Sequence, residues 1–285
     1  MNDVQVKGRP RPVRVSSCRT ILTGALVCLS LATLSGCVTT TAGGAVGANR
    51  SQLMLISSEE LNQMAAQSYD TLKSEASAKG VLNKDAAMLK RVRAITGRLQ
   101  AQTNVFRKDA PGWQWEVNIM TSDELNAFCM PGGKVMVYSG IITKLDLTDA
   151  ELANIMGHEI AHALREHVRE QMSQALVAQG VIGAGAAIFG LGKTSTDAAS
   201  VGYQVLLASK FSRNDESEAD QIGLELAARA GYDPRAGITL WQKMTSANQG
   251  GKPPEFLSSH PADATRIQQI QKLLPKVIPL YDATR

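Results

Sequence analysis

Apolar and polar residues along the chain change their period several times, and each change marks a predicted element. From Ser57 to about Gln102 the period is helical. Ser58 with Glu60 and Leu61 gives a capped start, and Leu82–Leu99 spaces its apolar residues three and four apart, so two helices are expected. Between Trp113 and Tyr138 the pattern turns to strands: Trp113-Gln114-Trp115-Glu116-Val117 alternates, Asn126–Met130 is apolar and Val135-Met136-Val137-Tyr138 is rich in β-formers. Pro131-Gly132-Gly133 joins the last two runs as a hairpin. Thr148-Asp149-Ala150-Glu151 is a capping-box sequence opening a helix predicted to run through His162 to about Gln174. The Gly/Ala-rich run Ala175–Gly192 is short and glycine-heavy for a membrane span, and is read as a buried helix or a loop. A long helical pattern follows from about Ala198 to Ala230, closed by Gly231. Asp233-Pro234 begins another helix, and Asp263–Leu274 forms the last. The expected fold is α+β, mostly helical, with a small β-sheet preceding the long helix that starts at Thr148.

The first 36 residues stand apart. A basic stretch to Arg19 leads into the apolar run Ile21–Leu34 and then Leu34-Ser35-Gly36-Cys37, the order of a secretory signal and too short for a span. Leu-Ser-Gly-Cys resembles the bacterial lipobox, which makes Cys37 the expected lipidation site. Val38 follows it in place of the aspartate that marks inner-membrane retention in such lipoproteins, so the expected location is the outer membrane of a Gram-negative bacterium, facing the periplasm. The predicted organisation is a signal peptide over 1–36, a lipid-anchored flexible tether over 37–54, rich in Thr, Gly and Ala, and a single domain over 55–285.

This division changes the meaning of the bulk charge. The net +4 arises in the leader, where Lys7, Arg9, Arg11, Arg14 and Arg19 face only Asp3; the remaining 25 basic and 25 acidic residues cancel. No basic excess survives in the folded part, which argues against nucleic acid as a partner. Of the four cysteines only Cys129 lies beyond the leader and Cys37, so no intramolecular disulfide is available to the domain. Cys129 is read as a small buried apolar residue rather than a redox thiol.

The chemistry concentrates at His158-Glu159-Ile160-Ala161-His162. Four residues of helix turn by about 400°, so His158 and His162 share a face and can reach one ion, while Glu159 flanks it close enough to act on a water as general base. Downstream, Glu216 and Asp220 are again four apart. That face offers one carboxylate as third ligand and another to accept the second N–H of a ligating histidine. Glu218, about 200° round from Glu216, is expected to face elsewhere, and His167, about 140° off the ligand face, is not expected to be a ligand. Val168 stands where a metzincin would need the third histidine of its motif, leaving a glutamate-type zincin, or gluzincin.

Four separated motifs now occur in one order: Asn126-Ala127-Phe128 with Pro131-Gly132-Gly133 and Ser139-Gly140, then Gly157 with His158–His162, then Ser212-Arg213 with Glu216 and Ala219-Asp220, then Ser259-His260-Pro261. Over about residues 55 to 275 the chain resembles the HtpX-like and CAAX-prenyl-endopeptidase-type zinc metallopeptidases, and within them the LoiP-like branch of outer-membrane lipoprotein proteases. The resemblance implies one zinc ion per chain held by His158, His162 and Glu216, with Glu159 as general base and Asp220 behind the ligands. It implies that Asn126, Ala127 and Phe128 form the edge on which an extended substrate adds by backbone pairing; Phe128 also fits the core. For His260 it implies a place near the metal, either stabilising the oxyanion or capping zinc in a latent state; a plain loop histidine is the alternative. Arg266 is expected either to pair with a site carboxylate or to be exposed. The implied activity is endopeptidase cleavage of misfolded or stalled envelope proteins. A periplasmic chaperone or assembly factor for outer-membrane proteins is the alternative function, and a structural zinc site closed by His260 a third reading.

Overall fold

The structure is a computed structural model that describes residues 37–178, 210–248, 254–260 and 265–285. The expected signal segment, most of the apolar run 175–192 and the start of the 198–230 pattern lie outside these residues.

The first helix, α1 (Ser58–Ala78), is capped by Ser57, whose Oγ accepts from the Glu60 N–H, one residue earlier than the Ser58 start expected. Helix α2 (Ala86–Gln100) begins at Asp85, which accepts the Met88 N–H at 2.8 Å. Leu82, the first member of the apolar series, is not helical and bridges to Met120 instead. Three strands follow: β3 (Glu116–Met120), β4 (Ala127–Met130) and β5 (Lys134–Tyr138), in the spatial order β3-β5-β4. A short pair precedes them in the chain, β1 (Cys37–Val38) antiparallel to β2 (Gln52–Leu53). Strands β4 and β5 form the expected hairpin, and β3 runs parallel to β5. Alternation sorts the hairpin's side chains onto two faces. Ala127, Cys129, Val135 and Val137 join the main core, while Phe128, Met130, Met136 and Tyr138 pack with Leu61, Met64 and Tyr69 of α1. The sheet thus lies between two apolar layers, with β4 at its edge.

After the short α3 (Ser139–Lys144), helix α4 (Asp149–Leu164) opens on the predicted capping box, in which Thr148 and Glu151 cap each other. Every residue from Glu151 to Leu164 is buried, so this helix is the centre of the domain. Against it lies α6 (Arg213–Arg229), which opens on a second capping box, Ser212 with Asp215. The two meet at Gly157 and Gly223. A Cβ on Gly157 would lie 2.6 Å from the Gly223 carbonyl oxygen, and one on Gly223 would lie 2.6 Å from the His158 nitrogen. Only a pair of glycines lets the two backbones come this close.

Two expectations change along α4. The helix does not run on to Gln174: it stops at Leu164, Glu166 takes the left-handed φ of 52°, and α5 (His167–Ala178) starts afresh. Arg165, fully buried, sends its guanidinium to Glu218, and its carbonyl, freed by the break, accepts from Gln52 Nε2 at 2.8 Å and Thr40 Oγ1 at 3.2 Å. The segment expected as a flexible tether is also different, because residues 39–56 form a strap laid on the domain. Thr41, Val46, Ala48 and Gln52 are buried, the Val46 N–H donates to buried Glu225 at 3.0 Å, and the Leu55 N–H donates to Ser173 at 2.9 Å. Its composition allows flexibility, but its polar groups find specific partners on α4, α5 and α6.

Helix α7 (Ala236–Ala247), the short α8 (Glu255–Ser259) and α9 (Arg266–Asp282) complete the domain. Helix α9 passes through Pro275 and Pro279 rather than ending at Leu274. Interior prolines each cost about 3 kcal/mol, but the apolar stripe Ile270, Leu274, Val277 and Tyr281 continues past them onto the core. Burial of that stripe offsets the broken hydrogen bonds. Among the described residues no helix is long and apolar enough to cross a membrane.

Candidate metal centre and its groove

The glycine contact sets α4 and α6 so that their functional side chains face each other. His158 and His162 come from α4, Glu216 and Asp220 from α6, His260 follows α8 and Arg266 opens α9; all six are buried. His158 Nε2 lies 3.1 Å from His162 Nε2 and 3.5 Å from Glu216 Oε2, and His162 Nε2 lies 3.4 Å from Glu216 Oε1. His260 Nδ1 closes the group at 2.9 Å from Glu216 Oε1 and 3.2 Å from His158 Nε2. The sequence-predicted residues therefore converge, His260 included.

These spacings fit a bound ion. Donor atoms about 2.0–2.1 Å from a tetrahedral zinc lie about 3.3 Å from one another, close to the 3.1 Å between the two imidazole nitrogens and to the 3.5 and 3.4 Å from them to Oε2 and Oε1 of Glu216 respectively. The hydrogen bonds behind them agree. His158 Nδ1 donates to Asp220 Oδ1 at 3.0 Å, which leaves its Nε2 as a bare lone pair turned toward the other donors. Charge points the same way: Arg266 pairs with Glu216 and Asp220, and Glu159 adds a third carboxyl, so among the described residues the acids of the cluster outnumber its arginine.

Burial and neighbours set the protonation of each group. Burial holds the His162 imidazole well below its ordinary value, in the neutral form a metal requires. Burial works against ionising Glu216, but His260, His158 and His162 outweigh it and hold the carboxyl well below the usual range. Asp220 is likewise lowered against its burial by Arg266 and His158. Glu159 is the exception: burial pushes it up, and its Oε1 has no hydrogen-bond partner among the described residues, with His260 Nε2 standing 3.5 Å off. A buried carboxylate oxygen with nothing to accept from is held ready for a proton that the protein does not supply. For His260, burial opposes its charge, yet Glu159 and Glu216 raise its pKa.

Arg266 settles the two readings open for it. It is buried, forks onto Asp220 with Nε at 2.8 Å and Nη2 at 2.5 Å, reaches Glu216 Oε2 with Nη1 at 2.5 Å, and stacks its guanidinium 3.7 Å over the Trp241 ring. It holds both carboxylates of α6 at once.

A groove of about 370 Å³ opens beside the cluster, reaching Glu159, His162 and His260 on one wall and β4 on the other. The Tyr138 N–H donates to the Asn126 carbonyl at 3.0 Å, so antiparallel alternation turns the backbone groups of residues 126, 128 and 130 to β5 and those of 127 and 129 outward along the sheet edge. One of these is covered from within, since Asn126 Oδ1 accepts the Ala127 N–H at 2.9 Å. Phe128 belongs to the α1 core layer and also lines the groove. Cys129 is buried on the other face, with its thiol pushed up by burial and the nearby Glu159 charge, as an inert apolar residue.

A second group of ionisable residues lies on the opposite side of α6. His167, Asp215 and Glu218 come close enough to resemble a metal site, but arginines occupy it: Arg165 reaches both Glu218 oxygens at 3.0 Å, and Arg50 of the strap reaches Glu170, Asp215 and Glu218 at 2.6–3.2 Å. Glu218 faces away from the first cluster as expected. His167 does not turn away as expected, because the break at Arg165–Glu166 brings its Nδ1 to 2.8 Å from His162 Nδ1. No glycine, proline or asparagine marks that break, so the sequence carries no signal for it.

Comparison with known proteins agrees with this geometry. The profile of peptidase family M48 matches residues 86–274. The chain is 31% identical over 247 residues to the mitochondrial metalloendopeptidase OMA1 of Bos taurus, covering 82% of this chain and 46% of that protein. It is 28% identical over 250 residues to the metalloprotease LoiP of Escherichia coli strain K12, covering 86% and 94%. To the beta-barrel assembly-enhancing protease of Yersinia pestis it is 29% identical over 195 residues, covering 64% and 38%. The chain spans about half the length of the mammalian and yeast OMA1 proteins it matches. A match that runs from the start of α2 into α9, and so takes in His158, Glu159, His162, Glu216, Asp220, His260 and Arg266, means that the chain belongs to peptidase family M48.

Proposed function

We propose that the chain is a zinc-dependent endopeptidase in which His158, His162 and Glu216 hold one zinc ion and Glu159 is the general base. The observation that carries this reading is the buried Oε1 of Glu159, without a hydrogen-bond partner among the described residues, beside two imidazole nitrogens 3.1 Å apart that stand 3.4 and 3.5 Å from the two oxygens of Glu216. Bound zinc supplies Lewis-acid polarisation of a peptide carbonyl and lowers the pKa of a water in its coordination sphere. Glu159, kept basic by burial, takes the proton of the attacking water and passes it to the leaving amine. Asp220 and Arg266 hold the ligands in place. An extended peptide pairs with the outward backbone groups of 127 and 129 and lies in the groove, its chain passing Glu159. The experiment is zinc analysis with casein digestion: Glu159→Gln keeps zinc and lowers cleavage by about 10²–10⁴-fold, and a variant with full activity refutes the mechanism.

His260 has two roles to separate. With Nδ1 at 2.9 Å from Glu216 it stands where a substrate carbonyl would approach. His260→Ala raises activity where the imidazole caps the ion and lowers it where the imidazole stabilises the oxyanion.

The reading extends to place and substrate. Cys37 is the lipidated residue of an outer-membrane lipoprotein facing the periplasm, residues 1–36 are its signal peptide, and misfolded or stalled envelope proteins are its substrates. The likeness to a protein named for beta-barrel assembly supports a second reading, a chaperone or assembly factor with minor proteolysis. Glu159→Gln separates them, because delivery of outer-membrane proteins persists in that variant only if binding, not cleavage, is the function.

A further inference from the structure

The mechanism above gives His158 a carboxylate partner and leaves the other imidazole unexplained. His162 has Nε2 facing the metal centre and Nδ1 2.8 Å from His167 Nδ1. Two imidazole nitrogens at that distance share one proton, and the rest of the chain of contacts decides where it sits. His167 Nε2 is 3.1 Å from Glu218 Oε2. Glu218 also accepts from Arg165 Nε and Nη2, at 3.1 and 3.0 Å, and from Arg50 at 3.2 Å. A carboxylate bonded to two guanidiniums can only accept. His167 therefore carries a hydrogen on Nε2, and as a neutral imidazole it offers a lone pair at Nδ1. That lone pair accepts the His162 Nδ1–H, and the Nε2 of His162 is left bare toward the cluster. Each link has a single polarity, and the direction is set by the buried Arg165–Glu218 pair.

We infer that His167 is a positioning residue for the metal site: held by Glu218, it fixes the tautomer and ring angle of His162. The inference rests on the zinc reading proposed above. The second cluster is then the outer support of the first rather than a separate salt-bridge network, and the strap takes part through Arg50. An imidazole in this place orients His162 without adding a further carboxylate beside Glu159, Glu216 and Asp220. The break at Arg165–Glu166 is what makes the contact: on a continuous helix the His167 ring would point about 140° away.

The test compares two substitutions in the full chain. His167→Asn puts an amide oxygen near the place of Nδ1 and keeps an acceptor for His162; His167→Phe keeps the ring's shape and removes the acceptor. Zinc affinity is measured by chelator competition, the visible spectrum by cobalt substitution, and folding by thermal melting without metal. For a positioning role, Phe weakens zinc by about 10–100-fold and alters the cobalt spectrum, while Asn stays nearer wild type. A packing role gives the opposite order, with Phe the better tolerated, and overturns the inference. Should neither variant fold, imidazole ¹⁵N spectra of the zinc-loaded wild type decide, since hydrogen on His167 Nδ1, alone or together with Nε2, overturns the inference and hydrogen on Nε2 alone upholds it. Failure of the wild type to bind zinc refutes the proposed function instead.

Discussion

Helix α6 carries two carboxylate clusters on opposite faces, built from the same residue types and both compact enough to suggest a metal. On one face, among the described residues, Glu216 and Asp220, with Glu159 opposite, meet a single arginine, and one carboxylate oxygen has no hydrogen-bond partner. On the other, Asp215, Glu218 and Glu170 meet Arg50 and Arg165, and both Glu218 oxygens are bonded. The difference teaches that proximity of acids and histidines does not define a metal site. What defines it is charge and hydrogen-bonding capacity left over after the protein's own cations have been placed.

The sharpest way to break the comparison is to make one change on each face. Glu216→Gln is expected to lower peptide cleavage by about 10³-fold or more, the loss of several kcal/mol of metal-assisted stabilisation. Glu218→Gln lowers zinc affinity by about 10–100-fold and leaves the rate at saturating zinc close to wild type. Equal rate losses at saturating zinc would erase the distinction between the faces. Removing the side chain altogether reverses the ranking in stability. Glu218→Ala strands Arg165, which is fully buried, and should cost about 3–5 kcal/mol in a denaturant titration. A loss under 1 kcal/mol would mean that water reaches the guanidinium.

A subtler perturbation moves both faces together. In Gly223→Ala the new methyl meets backbone at 2.6 and 2.8 Å, so α4 and α6 must separate. The expected cost is about 1–3 kcal/mol, seen in thermal melting, with weaker zinc binding because the Glu216 face retreats from His158. Unchanged zinc affinity in that variant would uncouple the helix contact from the site. The smallest effect concerns the strap. Burial opposes ionisation of Glu170, but Arg50 and Gln52 lower its pKa below the ordinary 4.5. A lowered folded value means a stabilisation present in full above pH 4.5 and lost as pH falls through that lower value. Amide exchange over residues 39–56 should quicken in that window ahead of α4; simultaneous release would show that the strap does not depend on Glu170.

Much of the first face was legible because its geometry is local. His158 with His162, and Glu216 with Asp220, are each one helical turn apart, so spacing alone places each pair. Pairing the two required a second element, and the motif order supplied it. The second face was not legible, because it depends on a left-handed Glu166 that no residue type announces and on Arg50 arriving from more than a hundred residues upstream. The tether was misjudged for a related reason. Thr, Gly and Ala permit disorder, and only the partners they meet, Arg165 and Glu225 among them, decide otherwise. At α9 the end expected at Leu274 is overrun because the apolar stripe continues beyond it through Pro275 and Pro279.

The packed strap also sets how far a membrane-anchored form could range. A loose tether over 37–54 would let the domain wander roughly 20–25 Å from the bilayer. With Cys37 already paired to Leu53 in β1–β2, that leash has almost no length. Were Cys37 lipidated as proposed, the domain would start within a residue or two of its anchor, and its reach would be set by the strap's release rather than by a linker.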